Sequence, residues 1–439
     1  MIINAKRTAT LLLSLSFLLT AACTRTDDVN VDHYGRRELV LASYTNLAKL
    51  NRMVADFNNN SEDYYITIDV YETYGDDPQE NMEAFKRFST AVMSPNTSRY
   101  PDIVVSNTSS YPMFAQQRTL ADLGPYLDAD ENHDPAAMFE GVLNALYVDD
   151  RLYGVVADFI PHILVMNDAA ATLGLSLETV TALQSQADYP VSGIYDRWNN
   201  LGFWLLAYLN EFIDWEAGTC DFSDPRFMAL VEMTLAYPSS FDPDSLAEAA
   251  KDGRPIYMNI ELRSLYQLQA IINLFGGEFS VSGFPGNEEE INILSSGIYS
   301  ITAHSRQKDA AWAFISGCLS DEYQATHAAL WYFDLPVSRK AFEDLVERQS
   351  EEELIDGRAR IWESVTIGPD SYEMTFLHAD TVAAYRRILD MDMNMPIVSQ
   401  AAIQIIFEEV YEYYDGKRSM EQMIHNIENR VGLYLKEIM

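Results

Sequence analysis

The sequence predicts an α/β protein of two lobes, and three observations carry that reading. Runs of strand period alternate with runs of helical period from residue 38 to residue 106. About 415 residues follow an N-terminal leader, too many for one ordinary core and suited to two. Apolar content is 48%, the level of a globular body rather than a disordered one.

The leader comes first. Lys6 and Arg7 form a positive n-region, and the uncharged, largely apolar residues 8–22 end in Ala21-Ala22 before Cys23. Such a stretch is short for a spanning helix, which needs about 20 residues, and has the layout of a secretory signal peptide. Residues 18–23 (Leu-Leu-Thr-Ala-Ala-Cys) resemble a bacterial lipobox, although Thr20 stands where Leu is commonest. Residues 1–22 are therefore expected to be removed and Cys23 lipidated. The polar residues 23–36 read as a tether. Multiple acylation would hold the chain firmly to a membrane on its extracytoplasmic face.

The body then alternates. Residues 38–43 form an apolar strand, and Leu47, Leu50, Val54 and Phe57 share one helical face. Ile66, Ile68 and Val70 alternate on a second strand; Met82, Phe85 and Phe88 mark a second helix; residues 101–106 make a third strand. That order implies right-handed crossovers and a parallel sheet, whose ligands bind beyond the carboxyl ends of its strands. Residues 152–157 read as a further strand, broken at 158–161 before a second apolar run at 163–166. A helix at 309–319 places Trp312 in the core, and residues 331–336 form an aromatic segment. Two helices close the chain. Asp415-Gly416 stops the first, and a Ser419/Gln422 capping box starts the second.

Charge narrows the partners. The chain carries 66 acidic and 30 basic residues, a net −36, and losing Lys6 and Arg7 takes it to about −38. Such a surface repels nucleic-acid phosphates and anionic lipid heads, and disfavours a strongly anionic ligand. After Cys23 only Cys220 and Cys318 remain, and their spacing does not demand a disulfide. Asp128 to Asp134 superficially suggests a calcium loop. His133 replaces its required Gly and Phe139 its bidentate Glu, so a solvated turn is expected and no metal. No cofactor fingerprint appears.

Five segments, in order, resemble the carbohydrate-type, maltose-binding-protein-like solute-binding lipoproteins of bacterial ABC importers. They are Leu39-Val-Leu-Ala-Ser-Tyr44 with Ala55-Asp-Phe-Asn58; Pro101-Asp-Ile-Val-Val105 with residues 115–127; and Arg151-Leu-Tyr-Gly-Val-Val156. The remaining two are Gly283-Phe-Pro285 with residues 298–303 and 308–314, and Leu335-Pro-Val-Ser-Arg339 with residues 406–414 and 429–434. The resemblance implies a two-lobed periplasmic-binding-protein fold of class II type, with three interlobe crossings and a ligand cleft. Crossings are expected near 158–162, 277–285 and 331–336. Lobe one would take 37–157 and 286–330, and lobe two 163–276 and 337–439. It also implies a monomeric receptor that passes a small solute, a sugar or oligosaccharide, to permease subunits by hinge closure.

A sugar site needs flat aromatics for C–H faces and amides, carboxylates or hydroxyls for hydroxyl rims. Strand-end loops of lobe one offer Tyr44, Asn46, Tyr74, Asn107, Ser109 and Tyr111, with Tyr44 and Tyr111 the expected stacking rings. The loop after the third strand lacks the charged residue that the family carries there. Asp158 stands at the first crossing and Trp331 at the third. Lobe two offers Trp198, Asn199, Trp204, Asn259 and Glu261; Ser295, Ser296 and Tyr299 line the return. Trp204 and Tyr208, four apart on a helix, also fit core packing. A secreted carbohydrate-active enzyme and a surface sensor without a transporter stay open as alternatives, since paired carboxylates abound.

Overall fold

The computed structural model describes residues 30–438 except 73–77, 98, 192–195, 216, 238–242, 277, 286–287, 329–333, 368 and 396–398. The leader, Cys23, Tyr74 and Trp331 thus lie outside the described residues.

Two sheets organise the body. The first contains β1 (Arg37–Ser43), β2 (Tyr64–Val70), β3 (Ile103–Ser106), β4 (Val155–Val156) and β9 (Ile298–Ile301), in the order β2-β1-β3-β9-β4. β1 pairs in parallel with β2 and β3, as the alternation predicts, and β9 returns antiparallel to β3 and β4. The crossover helices α1 (Ala48–Asn60) and α2 (Pro78–Met93) follow their strands. α1 buries Leu50, Met53 and Val54. It also buries Lys49, a charged residue on its apolar face.

The second sheet is built around β5 (Asp158–Asn167), ten residues buried without exception. Its partners are β6 (Tyr257–Glu261), β7 (Phe279–Ser282), β8 (Glu290–Leu294) and β10 (Leu335–Pro336); β11 (Asp392–Asn394) pairs with β8. The break expected at 158–161 is absent. Pro161 is tolerated because its carbonyl accepts the Leu262 N–H at 2.9 Å, just past the end of β6. Its missing N–H faces that same edge, where β6 has stopped and β10 pairs only with Asp158 and Phe159. The reciprocal bond to the Leu262 carbonyl is the one a proline cannot make, and the pairing with β6 ends there.

The strand pairing also corrects the second crossing. Residues 279–282 and 290–294, expected in a hinge and in lobe one, both pair with β5. Their alternating apolar residues, Phe279 and Val281, then Ile291 and Ile293, need that strand to satisfy their backbone. The chain passes to the first sheet only between Leu294 and Ile298. At the first crossing it changes sheets between Val156 and Asp158, so His162 is strand interior rather than hinge.

Helices clothe the sheets. α3 (Tyr111–Gln116) follows β3, α4 (Arg197–Phe212) buries Leu201, Trp204, Leu205 and Tyr208, and α5 (Lys308–Leu319) follows β9. α6 (Gln400–Tyr414) and α7 (Met420–Ile438) end the chain. Gly416 turns with φ +70° between them, and Ser419 and Gln422 form the expected capping box at 3.0 and 3.2 Å. Trp312 packs on Tyr126 and donates to Asp130 at 2.9 Å. Asp130 also accepts Ser316 Oγ–H at 2.6 Å, so the 128–134 turn is bound to α5. Cys220 and Cys318 are free thiols. None of the described helices is long and apolar enough to cross a membrane.

Candidate functional site

Both sheets and the described parts of all three crossings meet at one cluster of charges. Lys49 of α1 reaches the first residue of β5, with Nζ 2.5 and 2.7 Å from the two carboxylate oxygens of Asp158. Asp334, just before β10, lies 4.0 Å from the same ammonium. Arg263, past the end of β6, reaches Asp334 at 3.3 Å and Glu261 at 2.7 Å. The sequence of charges alternates: Asp158, Lys49, Asp334, Arg263, Glu261. It runs from 2% side-chain exposure at Asp158 to 52% at Arg263, so one end is dry and the other wet.

Burial has a price at the dry end. Asp334 is pushed up to about 6, first by desolvation and then by Asp158, with Lys49 and Arg263 pulling the other way. Two carboxylates thus share one buried ammonium.

The backbone around this cluster is stitched by short polar side chains. The Ser295 N–H donates to Thr108 Oγ1 at 2.8 Å, and the Thr108 N–H donates to the Ser295 carbonyl at 3.1 Å. Ser295 Oγ–H donates to the Asp158 carbonyl at 3.3 Å. The loop after β3, the second crossing and the first crossing are therefore one unit. Asn107 shapes that loop, its Oδ1 accepting the Ser110 N–H at 3.1 Å and hydroxyl at 2.9 Å. Ser109 and Ser296 are half-buried in the two loops so joined.

Expected site residues thus divide. Asn107, Ser109, Asp158, Glu261 and Ser296 lie on the segments that converge here, and Asn259 is two residues before Glu261 on β6. Tyr44, just past β1, is half-buried, packing on Phe85 and Phe88, with its hydroxyl 3.4 Å from the Asn81 carbonyl. Three others are corrections. Tyr111 is 1% exposed and donates its hydroxyl to the Leu146 carbonyl at 2.5 Å. Burial raises its phenol pKa well above the usual range. Its ring fills the space beside Gly154, where a Cβ would meet Cε2 at 2.8 Å. Tyr299 is equally buried, its hydroxyl 3.2 Å from Met53 sulfur. Trp204 is fully buried, stacked on Tyr208 with centroids 6.1 Å apart. All three rings are core, because each strand or helix that carries them turns that face inward. Trp198 instead stacks on Tyr411 at 5.5 Å, against α6.

Sequence reasoning missed Lys49, Arg263, Asp334 and His162. Only Lys49 carried a signal, since it lies four residues before Met53 on a face of apolar residues.

No family model matches the chain, and no characterised protein matches it by sequence. Solved structures do match its fold. The sugar-binding protein MalE of Xanthomonas citri aligns over 91% of this chain and 98% of its own, with TM-score 0.55 and 17% identity. The ABC substrate-binding protein Lmo0181 of Listeria monocytogenes, solved with cycloalternan, aligns over 91% and 99%, with TM-score 0.53 and 14% identity. An ABC transporter solute-binding protein of Thermotoga lettingae, bound with α-D-tagatose, aligns over 91% and 99%, with TM-score 0.53 and 13% identity. The fold is the two-lobed periplasmic-binding-protein fold.

Proposed function

We propose that this chain is an exported, lipid-anchored receptor that binds a sugar or oligosaccharide between its lobes and delivers it to an ABC importer. The observation that carries the reading is the shared fold, matched over 91% of the chain by binding proteins whose ligands are carbohydrates. Supporting it, the three crossings converge on the Lys49–Asp158–Asp334 cluster, where lobe movement must be felt. The lobes would divide at 156–158, 294–298 and 334–336, and lobe one would resume near Ile298.

In this reading solute binds beyond the strand ends of lobe one, near Asn107, Ser109 and Ser296, and against Asn259 and Glu261 of lobe two. Asp158 serves the hinge through Lys49 rather than the solute. Closure buries the solute, and the permease recognises the closed form. Cys23 would hold the receptor near that permease, raising its effective concentration. The strong negative charge disfavours an anionic solute.

The test is a thermal-shift screen of neutral mono- and oligosaccharides on the purified body, followed by product analysis. Saturable stabilisation without turnover is expected. Hydrolysis of the stabilising sugar would overturn the receptor reading in favour of an enzyme.

A further inference from the structure

β5 changes partners on both edges near one residue. On one edge it pairs with β6 along residues 162–166 and with β10 at 158–159. On the other it pairs with β7 along 164–167 and with β8 along 160–162. His162 therefore sits where the neighbouring strands part on both sides. In open α/β sheets, ligands bind beyond strand ends where the strand order changes.

Across this point runs a row of polar residues in register. Glu261 of β6 faces His162, His162 faces Asn292 of β8, and Asn292 faces Asn394 of β11. Register partners project from the same face of a sheet. Asn259, two residues from Glu261, joins that face and holds His162 Nε2 at 2.5 Å through Oδ1. An amide oxygen only accepts, so Nε2 carries the proton and Nδ1 presents a lone pair. That Nδ1 is buried and has no partner among the described residues. His162 is 4% exposed, and burial lowers its pKa, keeping the ring neutral. Two rings wall the site: Phe284 meets the imidazole edge-on at 4.9 Å, and Phe203 lies 4.9 Å from Phe284.

We infer that His162, Asn259 and Asn292 form the ligand-reading row of the second lobe, taking a neutral polyhydroxylated solute whose hydroxyl donates to His162 Nδ1. The row offers donors and acceptors, and its one charge, Glu261, is engaged by Arg263. The phenyl rings suit a C–H face of a sugar. The row meets solvent at Glu261 and Asn394. This inference rests on the receptor reading and assigns its specificity to residues outside the aromatic loops.

The experiment titrates the body calorimetrically with glucose, maltose, maltotriose, cellobiose and raffinose, then repeats the tightest with variants. His162→Phe and Asn292→Leu should each weaken binding at least tenfold, and His162→Gln, which keeps an acceptor, should weaken it less. In the wild type labelled with ¹⁵N-histidine, the Nδ1 resonance should move on saturation. That measurement decides the question even where a variant fails to fold. Unchanged affinity in folded variants with an unmoved resonance would overturn the row, assign a structural water to Nδ1, and leave the receptor reading intact. If none of the five sugars binds the wild type, the carbohydrate reading fails and the row fails with it.

Discussion

Lys49 holds Asp158 at 2.5 Å across 109 residues of sequence, tying the first helix to the strand on which the second sheet is built. Both side chains are almost dry, at 5% and 2% exposure. An ion pair in that setting adds little net stability over apolar packing, but breaking one half of it is costly.

Lys49→Met should therefore lower unfolding stability by about 3–5 kcal/mol, because Asp158 is left charged and buried. Lys49→Met combined with Asp158→Leu should recover most of the loss. Urea denaturation of the three proteins measures both. A double variant as unstable as the single one would show that the pair is not the source of the effect.

Asp334 sets a pH dependence of definite sign. Its folded pKa of about 6 lies above the ordinary aspartate value of 3.8, so the folded state binds more protons between those values. Stability from this group is then greatest in acid and declines as pH rises from about 4 to 6. Asp334→Asn, which cannot ionise, should flatten that part of the profile. Melting temperatures measured at half-unit steps from pH 4 to 7 on both proteins give the comparison.

Tyr111 should behave as a packing residue. Tyr111→Phe removes one buried hydrogen bond and should cost about 1 kcal/mol, while Tyr111→Ala should cost about 3–5 kcal/mol by leaving a cavity. Gly154→Ala should cost about 1–3 kcal/mol by overpacking, since its Cβ would lie within 2.8 Å of Tyr111, Ile298 and Ser300. Sugar affinity of the folded fraction should stay within about threefold in Tyr111→Phe, a change of under 1 kcal/mol. A tenfold loss there would return Tyr111 to the binding surface.

Cys23 gives a cellular prediction. The wild-type chain should take up labelled palmitate and partition into detergent, and Cys23→Ser should do neither while keeping sugar-induced thermal stabilisation. Labelling that survives the substitution would remove Cys23 as the anchor.

The first sheet was legible because its signals are local. Ile66, Ile68 and Val70 alternate within one strand, and the helices between the strands show their apolar faces within a few turns. The second crossing was misread for the same reason. Gly276, Gly283 and Pro285 look like a linker, yet they punctuate two strands whose common partner, β5, lies more than a hundred residues earlier. The charge cluster was hidden more deeply. Lys49, Asp158 and Asp334 come from three distant stretches, and each alone is an ordinary polar residue. Tyr111 misled because loop ends seldom bury a large ring, but here a glycine opposite makes room for one.

Pro161 has a mechanical consequence. A strand shared by four neighbours should resist bending, since flexing it strains hydrogen bonds on both edges. At Pro161 one edge keeps a single bond, from the Leu262 N–H to the proline carbonyl, where a ladder would have a reciprocal pair, so β5 carries a crease with fewer bonds to strain. The crease lies three residues from the Lys49–Asp158 tie. Swinging one lobe against the other would then be a fold along a prepared line, with the ammonium as its pin.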